Sequence, residues 1–356
     1  MTAQPRSHEL FHLSQVAPAS PFTTREARVV QVGLGPIGCG VVDVLAKRPG
    51  VRIIGAVDVN PDLVGKPLAA AAGVRNDDLA QVTVTSGPAE AGDVAGAVAI
   101  VSTSSDVNVV ADQIEQWVSR GAHVISTCEE LAYPWHDAPQ VAKRLHALAS
   151  EHGVTILGTG VNPGFAMDLL PTTLTGAASQ VDRIDITRAQ EAGNRRLPLQ
   201  RKVGATLTVD EFFAGVEAGT VRHVGTTTSA LAIADAMGWH LDDVTETISP
   251  LLADKPTPSG LGTIKPGNVR GVRQIVSATR NGKEVLRLEL QMAVDVDDPR
   301  DEVQLTGDPD LNIRVAGGFP GDGATAAVVC NSIPGVLAAR PGLHTMSSLA
   351  APRAVS

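Results

Sequence analysis

The stretch Gly33-Leu34-Gly35-Pro36-Ile37-Gly38 constrains this chain more than any other, because of what flanks it. The apolar run Arg28-Val29-Val30-Gln31-Val32 leads into it, and Val41, Val42, Leu45 and Ala46 follow at helical spacing. A second apolar run opens at Val51, after the breaker Pro49-Gly50, and ends in Asp58, 20 residues past Gly38. A strand, a glycine turn, a helix and a further strand closed by an acid form the first unit of a Rossmann domain that binds a dinucleotide. Gly33 permits the tight turn, Gly35 lets the backbone approach a pyrophosphate, and Gly38 lets the helix lie close to the strand. Pro36 and Ile37 complete the loop at a helix N-terminus, whose free N–H groups and positive dipole suit phosphate. Asp58 is placed to accept hydrogen bonds from ribose hydroxyls, and its charge repels a 2′-phosphate. NAD is therefore the expected cofactor, with NADP the alternative where a nearby Arg offsets such an acid. A glycine turn of the same fold without nucleotide is the competing reading, and the intact flanks weigh against it.

The alternation continues along the chain. Residues 97–102 read as a strand entering the polar loop Thr103-Ser104-Ser105-Asp106, 108–119 as a helix, 122–127 as a strand, 138–150 as a helix and 154–158 as a strand. Such repetition makes an α/β domain over 28–164, with a parallel sheet covered by helices on both faces. Thr103, Ser104 and Ser105 follow the carboxyl end of a strand, where ligands bind in open sheets; they are expected to meet the cofactor or to cap the next helix.

After Gly164 the pattern changes. Residues 181–190, 274–280 and 284–294 read as longer strands of mixed polarity, with the two-residue turn Asn281-Gly282 joining the last pair and a further strand over 311–315. This predicts an α+β domain with a mixed or antiparallel sheet over 165–320. Residues 321–356, with an Ala- and Val-rich helix over 323–339, are expected to pack back on the Rossmann domain.

Composition narrows the function classes. A net charge of −9 with no basic patch argues against nucleic acid and anionic membrane as partners. No apolar run approaches the roughly 18 residues of a membrane span. The three cysteines, Cys39, Cys128 and Cys330, are far apart, which suits a reducing cytoplasm, and the histidines show no metal-binding spacing, so no metal is expected. Residues 1–27 are polar and broken by prolines, and read as a loosely ordered extension without the apolar run of a signal peptide.

The segment Thr127-Cys128-Glu129-Glu130-Leu131-Ala132-Tyr133-Pro134-Trp135 follows a strand whose carboxyl end should face the nicotinamide. Thr127 is grouped with the cofactor contacts. One carboxylate of the pair, turned inwards and raised in pKa by burial, is suited to accept a proton. Acids favoured by a helix N-terminus are the alternative account of the pair. Tyr133 and Trp135 are candidate walls of a substrate pocket, as are Phe165 and Asp168, for which core or cap roles are equally open. A carboxylate here, where alcohol-oxidising relatives of this architecture often carry Lys, suits a cationic nitrogen and points to amines. Cys128 beside two acids should have a raised pKa. The cluster Arg195-Arg196 and Arg201-Lys202 reads as a solvated loop, with recognition of a substrate carboxylate as the second reading.

Four blocks together resemble the family of 2,4-diaminopentanoate dehydrogenase and the related native amine dehydrogenases: Val32–Gly38, Gly55–Asp58, Ser126–Leu131 and Gly158–Phe165. Asn331-Ser332-Ile333-Pro334 and Pro341-Gly342-Leu343-His344-Thr345-Met346 fit the same group, so the resemblance spans about residues 29 to 348. It implies a fold similar to dihydrodipicolinate reductase, a homodimer, and oxidative deamination of an amine with NAD(P), or reductive amination of a ketone or aldehyde with ammonia. It also implies an active-site glutamate that binds and deprotonates the amine. That role falls on Glu129 and Glu130, with Glu130 favoured because comparison with Lys-bearing relatives puts it at the lysine position. Asn162 and Pro163 would lie near the nicotinamide, or form an ordinary interdomain turn. A reductase of cyclic imines or enamines is the alternative within this architecture, and a non-catalytic NAD-binding sensor the alternative outside it.

Overall fold

The computed structural model describes residues 26–354. The extension expected over 1–27 lies outside the described residues except for Glu26 and Ala27, and Ala27 already opens the first strand. Two sheets organise the rest.

The first sheet contains β1 (Ala27–Val32), β2 (Val51–Val57), β3 (Val84–Thr85), β4 (Val98–Val101), β5 (His123–Ser126), β6 (Thr155–Gly158) and, from the far end of the chain, β15 (Gly342–His344). Their order is β15-β6-β5-β4-β1-β2-β3, and every pairing is parallel. Valine, isoleucine and alanine dominate the central strands because both faces are covered; all four residues of β4 are fully buried. On one face lie α1 (Pro36–Leu45), α2 (Leu68–Ala72), α3 (Asp77–Ala80) and α10 (Gly321–Ala338). Here Val41, Leu45, Val329 and Val336 share a core with Val29 and Ile100. On the other face α4 (Val107–Val118) and α5 (Pro139–Glu151) bury Ile114, Trp117 and Leu145 against Val30 and Val101. The order reverses between β2-β1 and β4, which opens a crevice at the carboxyl ends of β1 and β4.

The second sheet has the order β14-β13-β7-β12-β11-β8. Its strands are β7 (Gln180–Glu191), β8 (Asp243–Leu252), β11 (Val269–Arg280), β12 (Lys283–Ala293), β13 (Arg300–Asp308) and β14 (Leu311–Ala316), with a small hairpin of β9 (Thr257–Ser259) and β10 (Gly262–Ile264) beside it. The sheet is mixed: β7 and β12 run parallel and the other pairs antiparallel. Asn281 and Gly282 both take positive φ, 53° and 71°, as the tight turn between β11 and β12 requires. Ile184, Ile186, Leu286, Leu288 and Leu290 point to one face, against Phe212, Ala230 and Ile233 of the helices α8 (Val209–Glu217) and α9 (Thr226–Ala236). The short α6 (Leu169–Thr175) and α7 (Leu197–Lys202) flank β7.

α10 returns to the first sheet and lies against α1, where Arg48 of the following turn donates to the Cys330 carbonyl at 2.6 Å. β15 then adds an edge strand beside β6, which sequence reading had not anticipated: three residues carry no periodicity to read.

Candidate active site

Loops at the carboxyl ends of β1, β4, β5 and β6 face β7, α7 and the start of α10 across a cleft of about 430 Å³. Ile37 of the glycine loop lies on its lining. A Cβ on Gly38 would stand 1.9 Å from the Gly33 carbonyl oxygen, so only glycine lets α1 start this close to β1. Gly33 takes a φ of +85°, which the turn back from Val32 requires. A Cβ on Gly35, by contrast, would meet no atom within 4 Å, so the backbone there faces open space. Asp58 accepts hydrogen bonds from the backbone N–H groups of Leu34, at 2.6 Å, and Asn60, at 2.8 Å. It thus fixes the glycine loop as well as standing at the end of β2.

Ile37, Thr103, Ser104, Ser105, Thr127, Asn162 and Pro163 line the cleft. Thr103 donates to Gln113 at 2.6 Å and Ser104 accepts from the Asp106 N–H at 3.1 Å, while Asp106 caps α4. Asn162 is only 9% exposed, yet its side-chain amide finds no partner for either polar atom. Buried amides are ordinarily paired. An open glycine loop and an unsatisfied amide on one cleft fit a dinucleotide whose phosphates lie on the first and whose nicotinamide end meets the second.

The two adjacent acids diverge. They open a 3-10 turn over Glu129–Ala132, packed so close to the end of β6 that a Cβ on Gly158 would sit 2.4 Å from Leu131. Glu129 lines the cleft. Glu130 turns away and accepts from the Val107 N–H at 2.9 Å, occupying the first turn of α4. The structure thus puts Glu129, and not the favoured Glu130, on the cleft, while Glu130 sits at the N-terminus of α4. Burial, aided by Glu129 and Glu130, pushes the Cys128 thiol up to about 12, so it is no nucleophile.

The four residues expected to wall the substrate pocket all stand outside the cleft. Tyr133 and Trp135 stack on each other with centroids 5.4 Å apart, and burial and the nearby Asp235 raise the Tyr133 phenol. Phe165 packs edge-on against Phe319 at 5.5 Å, joining the first core to the second sheet. Asp168 is buried behind the Asn162–Gly164 turn and receives hydrogen bonds from Gly164, Leu169 and Ser229. Aromatic identity had suggested a pocket, whereas Trp135 packs on the core under α4 and α5, Tyr133 lies beside Asp235 of α9, and Phe165 packs on Phe319.

The opposite wall is cationic and was largely missed. Arg188 and Asp301 form a buried pair at 2.7 Å, and Arg188 also donates to the Phe319 carbonyl. Arg195 and Arg196 hold Asp322 at the start of α10, at 2.5 and 3.2 Å. Lys202 reaches the same cleft with no ion-pair partner among the described residues. Arg195, Arg196 and Lys202 of the basic cluster therefore line the cleft, while Arg201 is exposed outside it. His223 joins it: burial, then Lys202 and Arg188, push its imidazole down to about 3, so it is neutral near pH 7. The signal for Arg188 and His223 lay in tertiary placement, since neither carries a local motif.

Residues 165–356 match the sequence model of the 2,4-diaminopentanoate dehydrogenase C-terminal domain. Over 338 residues, 93% of this chain and 95% of the relative, the chain is 34% identical to 2,4-diaminopentanoate dehydrogenase of Acetoanaerobium sticklandii. Its structure is similar to that of an amine dehydrogenase from Mycobacterium smegmatis, with a TM-score of 0.79 and 25% identity over 93% of this chain and 98% of the other.

Proposed function

The chain belongs to the 2,4-diaminopentanoate dehydrogenase family, and from that premise we propose that Glu129 receives the reacting nitrogen in a cleft whose opposite wall takes a carboxylate. The enzyme is an NAD(P)-dependent oxidoreductase acting on CH–NH₂ groups. The observation that carries the reading is Glu129 and the unpaired amide of Asn162 on one cleft above the glycine loop. Gly35, Ser104, Thr127 and Asn162 would hold the cofactor, with Asp58 favouring NAD by its charge. When bound, the nicotinamide supplies the hydride acceptor.

Glu129 draws in an ammonium ion and removes one proton, leaving the free amine whose lone pair assists loss of hydride from its carbon. The same carboxylate, carrying charge when its proton has passed on, offsets the positive charge that develops on nitrogen. Water adds to the resulting iminium carbon, ammonia leaves, and a ketone or aldehyde remains. Reductive amination is the reverse. At the other end, unpaired Lys202 and the Arg188 wall suit a substrate carboxylate. The substrate read from the cleft is therefore an amine that also carries an acid group, as the name of the Acetoanaerobium relative does. We further propose that the enzyme works in the cytoplasm, which three unpaired thiols suit, and as a homodimer through the uncovered face of the second sheet.

The test is NADH oxidation with high ammonium and a panel of oxo acids, ketones and aldehydes. Glu129→Gln is expected to lose roughly 10²–10⁴ in kcat, the range of a positioned acid–base group, and Glu130→Gln to lose less than about tenfold through α4. Equal losses in both variants, or turnover without ammonia, would sink the assignment.

A further inference from the structure

Asp168 receives three hydrogen bonds from three different segments. Its Oδ2 accepts from the Gly164 N–H at 2.6 Å and from the Ser229 hydroxyl at 3.2 Å, and its Oδ1 accepts from the Leu169 N–H at 2.8 Å. Gly164 closes the turn that carries Asn162 and Pro163 into the cleft. Ser229 lies in the first turn of α9, whose leading Gly225 is seated so close that a Cβ there would reach 2.5 Å from Pro163 and 3.5 Å from the Glu129 Cβ. One carboxylate thus clamps the turn on the cofactor side to the helix that backs Glu129. The bond to Leu169 is the ordinary duty of a residue preceding a helix; those to Gly164 and Ser229 are not.

Building on the amine dehydrogenase reading, we propose that ionised Asp168 is a positioning residue that holds Asn162 and Glu129 in register across the cleft. All three partners donate, which an ionised carboxylate can satisfy in full. Protonation replaces an acceptor by a donor. The Ser229 hydroxyl can reverse to meet it, but the Gly164 N–H cannot, so the turn loosens.

The surroundings leave this group to titrate by itself. Burial raises it to about 6, against the pull of its three hydrogen bonds, and no cation among the described residues offsets the burial. The small void beside it is walled by Ala132, Leu169, Thr172, Ala232 and residues 345–347, none of them charged. The titratable groups on the packed elements are engaged elsewhere. Glu130 holds Val107, Asp235 lies beside Tyr133, His344 bonds Ser348, and Glu129 faces the cleft. α6 carries no titratable residue. Cleft geometry should therefore be maintained above about pH 6 and lost below it.

The experiment measures kcat and the NADH dissociation constant from pH 5 to 9 in the wild type, Asp168→Asn and Ser229→Ala, with melting temperatures alongside. The wild type is expected to show an acidic limb near pH 6 in both quantities. In Asp168→Asn kcat should fall about tenfold to a hundredfold at pH 8, the scale of a misplaced reacting group, with KM within about threefold and the limb flattened. Ser229→Ala removes a bond that favours the ionised form, so its limb should move up by roughly one pH unit. A role in folding alone would lower melting temperature and leave that midpoint in place. An unmoved limb in Ser229→Ala overturns the proposal, even if Asp168→Asn fails to fold. If no amine is turned over, the NADH affinity profile still decides for or against Asp168, and the failure belongs to the substrate reading.

Discussion

Arg188 and Asp301 are each no more than 4% exposed in their side chains, and each serves more than the other. Asp301 also accepts from the Phe319 N–H at 2.7 Å, and Arg188 donates to the Phe319 carbonyl at 3.1 Å, so the pair locks the residue that packs on Phe165. Bringing two charges out of water costs several kcal/mol for each ion, and good geometry recovers it only while both remain. Asp301→Asn keeps a shape and one acceptor but strands a buried guanidinium. The expected cost is about 3–5 kcal/mol, or a fall in melting temperature of roughly 4–7 °C at this size. A melt within about two degrees of the wild type would show that water or the cleft already solvates Arg188. The same substitution frees a cation at the substrate wall, so tighter binding of oxo acids is compatible with a less stable protein.

Among the described residues, one face of the second sheet is bare of helices. Most of its strands run nine to twelve residues; six of them at about 4.8 Å spacing and about 3.3 Å per residue present roughly 900 Å². That is the area each partner contributes to a standard interface. The face carries alternating charge: Arg183 pairs with Asp185, Arg273 with Glu289 and Arg300 with Glu302. A second copy turned about a two-fold axis meets rows of opposite sign. Sedimentation at micromolar concentration is expected to give twice the chain mass, and Arg183→Glu with Arg273→Glu to give the monomer. A monomeric wild type would remove this face as the contact. How far each element was legible follows from the same burial. β1, β2, β4, β5 and β6 are apolar runs because both faces of their sheet are covered, and those runs could be read directly. β8, with Thr and Glu at alternate positions and much of its length exposed, carries no such signal, nor does β13. The acid pair was legible as a pair at a strand end. Which acid faces the cleft was not, because one step along a 3-10 turn swings a side chain by about 120°. Arg188 and Asp301 lie 113 residues apart and meet only through the pairing of β7 with β13.

At the scale of the whole molecule, the chain leaves the first sheet after β6, builds the second, and returns through α10 and β15. The first sheet is therefore completed by residues from both ends of the described chain, and the cleft is lined from both sheets. Contacts that span the seam include Phe165 on Phe319, Asp168 to Ser229, and Pro163 under Gly225. Neither part can then melt without exposing the other's packed face, and a ligand in the cleft should stabilise both. Binding to the folded state adds RT ln(1 + [L]/Kd), about 2.7 kcal/mol at a hundred times Kd, which corresponds to roughly 3–5 °C for a protein of this size. Calorimetry with NADH is accordingly expected to show one transition moving up by that amount. Two transitions of which only one moves would mean that the seam is too weak to couple the sheets, and that the cofactor rests on the glycine loop alone. NADPH at the same concentration should shift the transition less, because its 2′-phosphate would meet the Asp58 carboxylate that already holds Leu34 and Asn60. Equal shifts with the two cofactors would leave Asp58 as a brace for the loop and move the choice of cofactor to other residues.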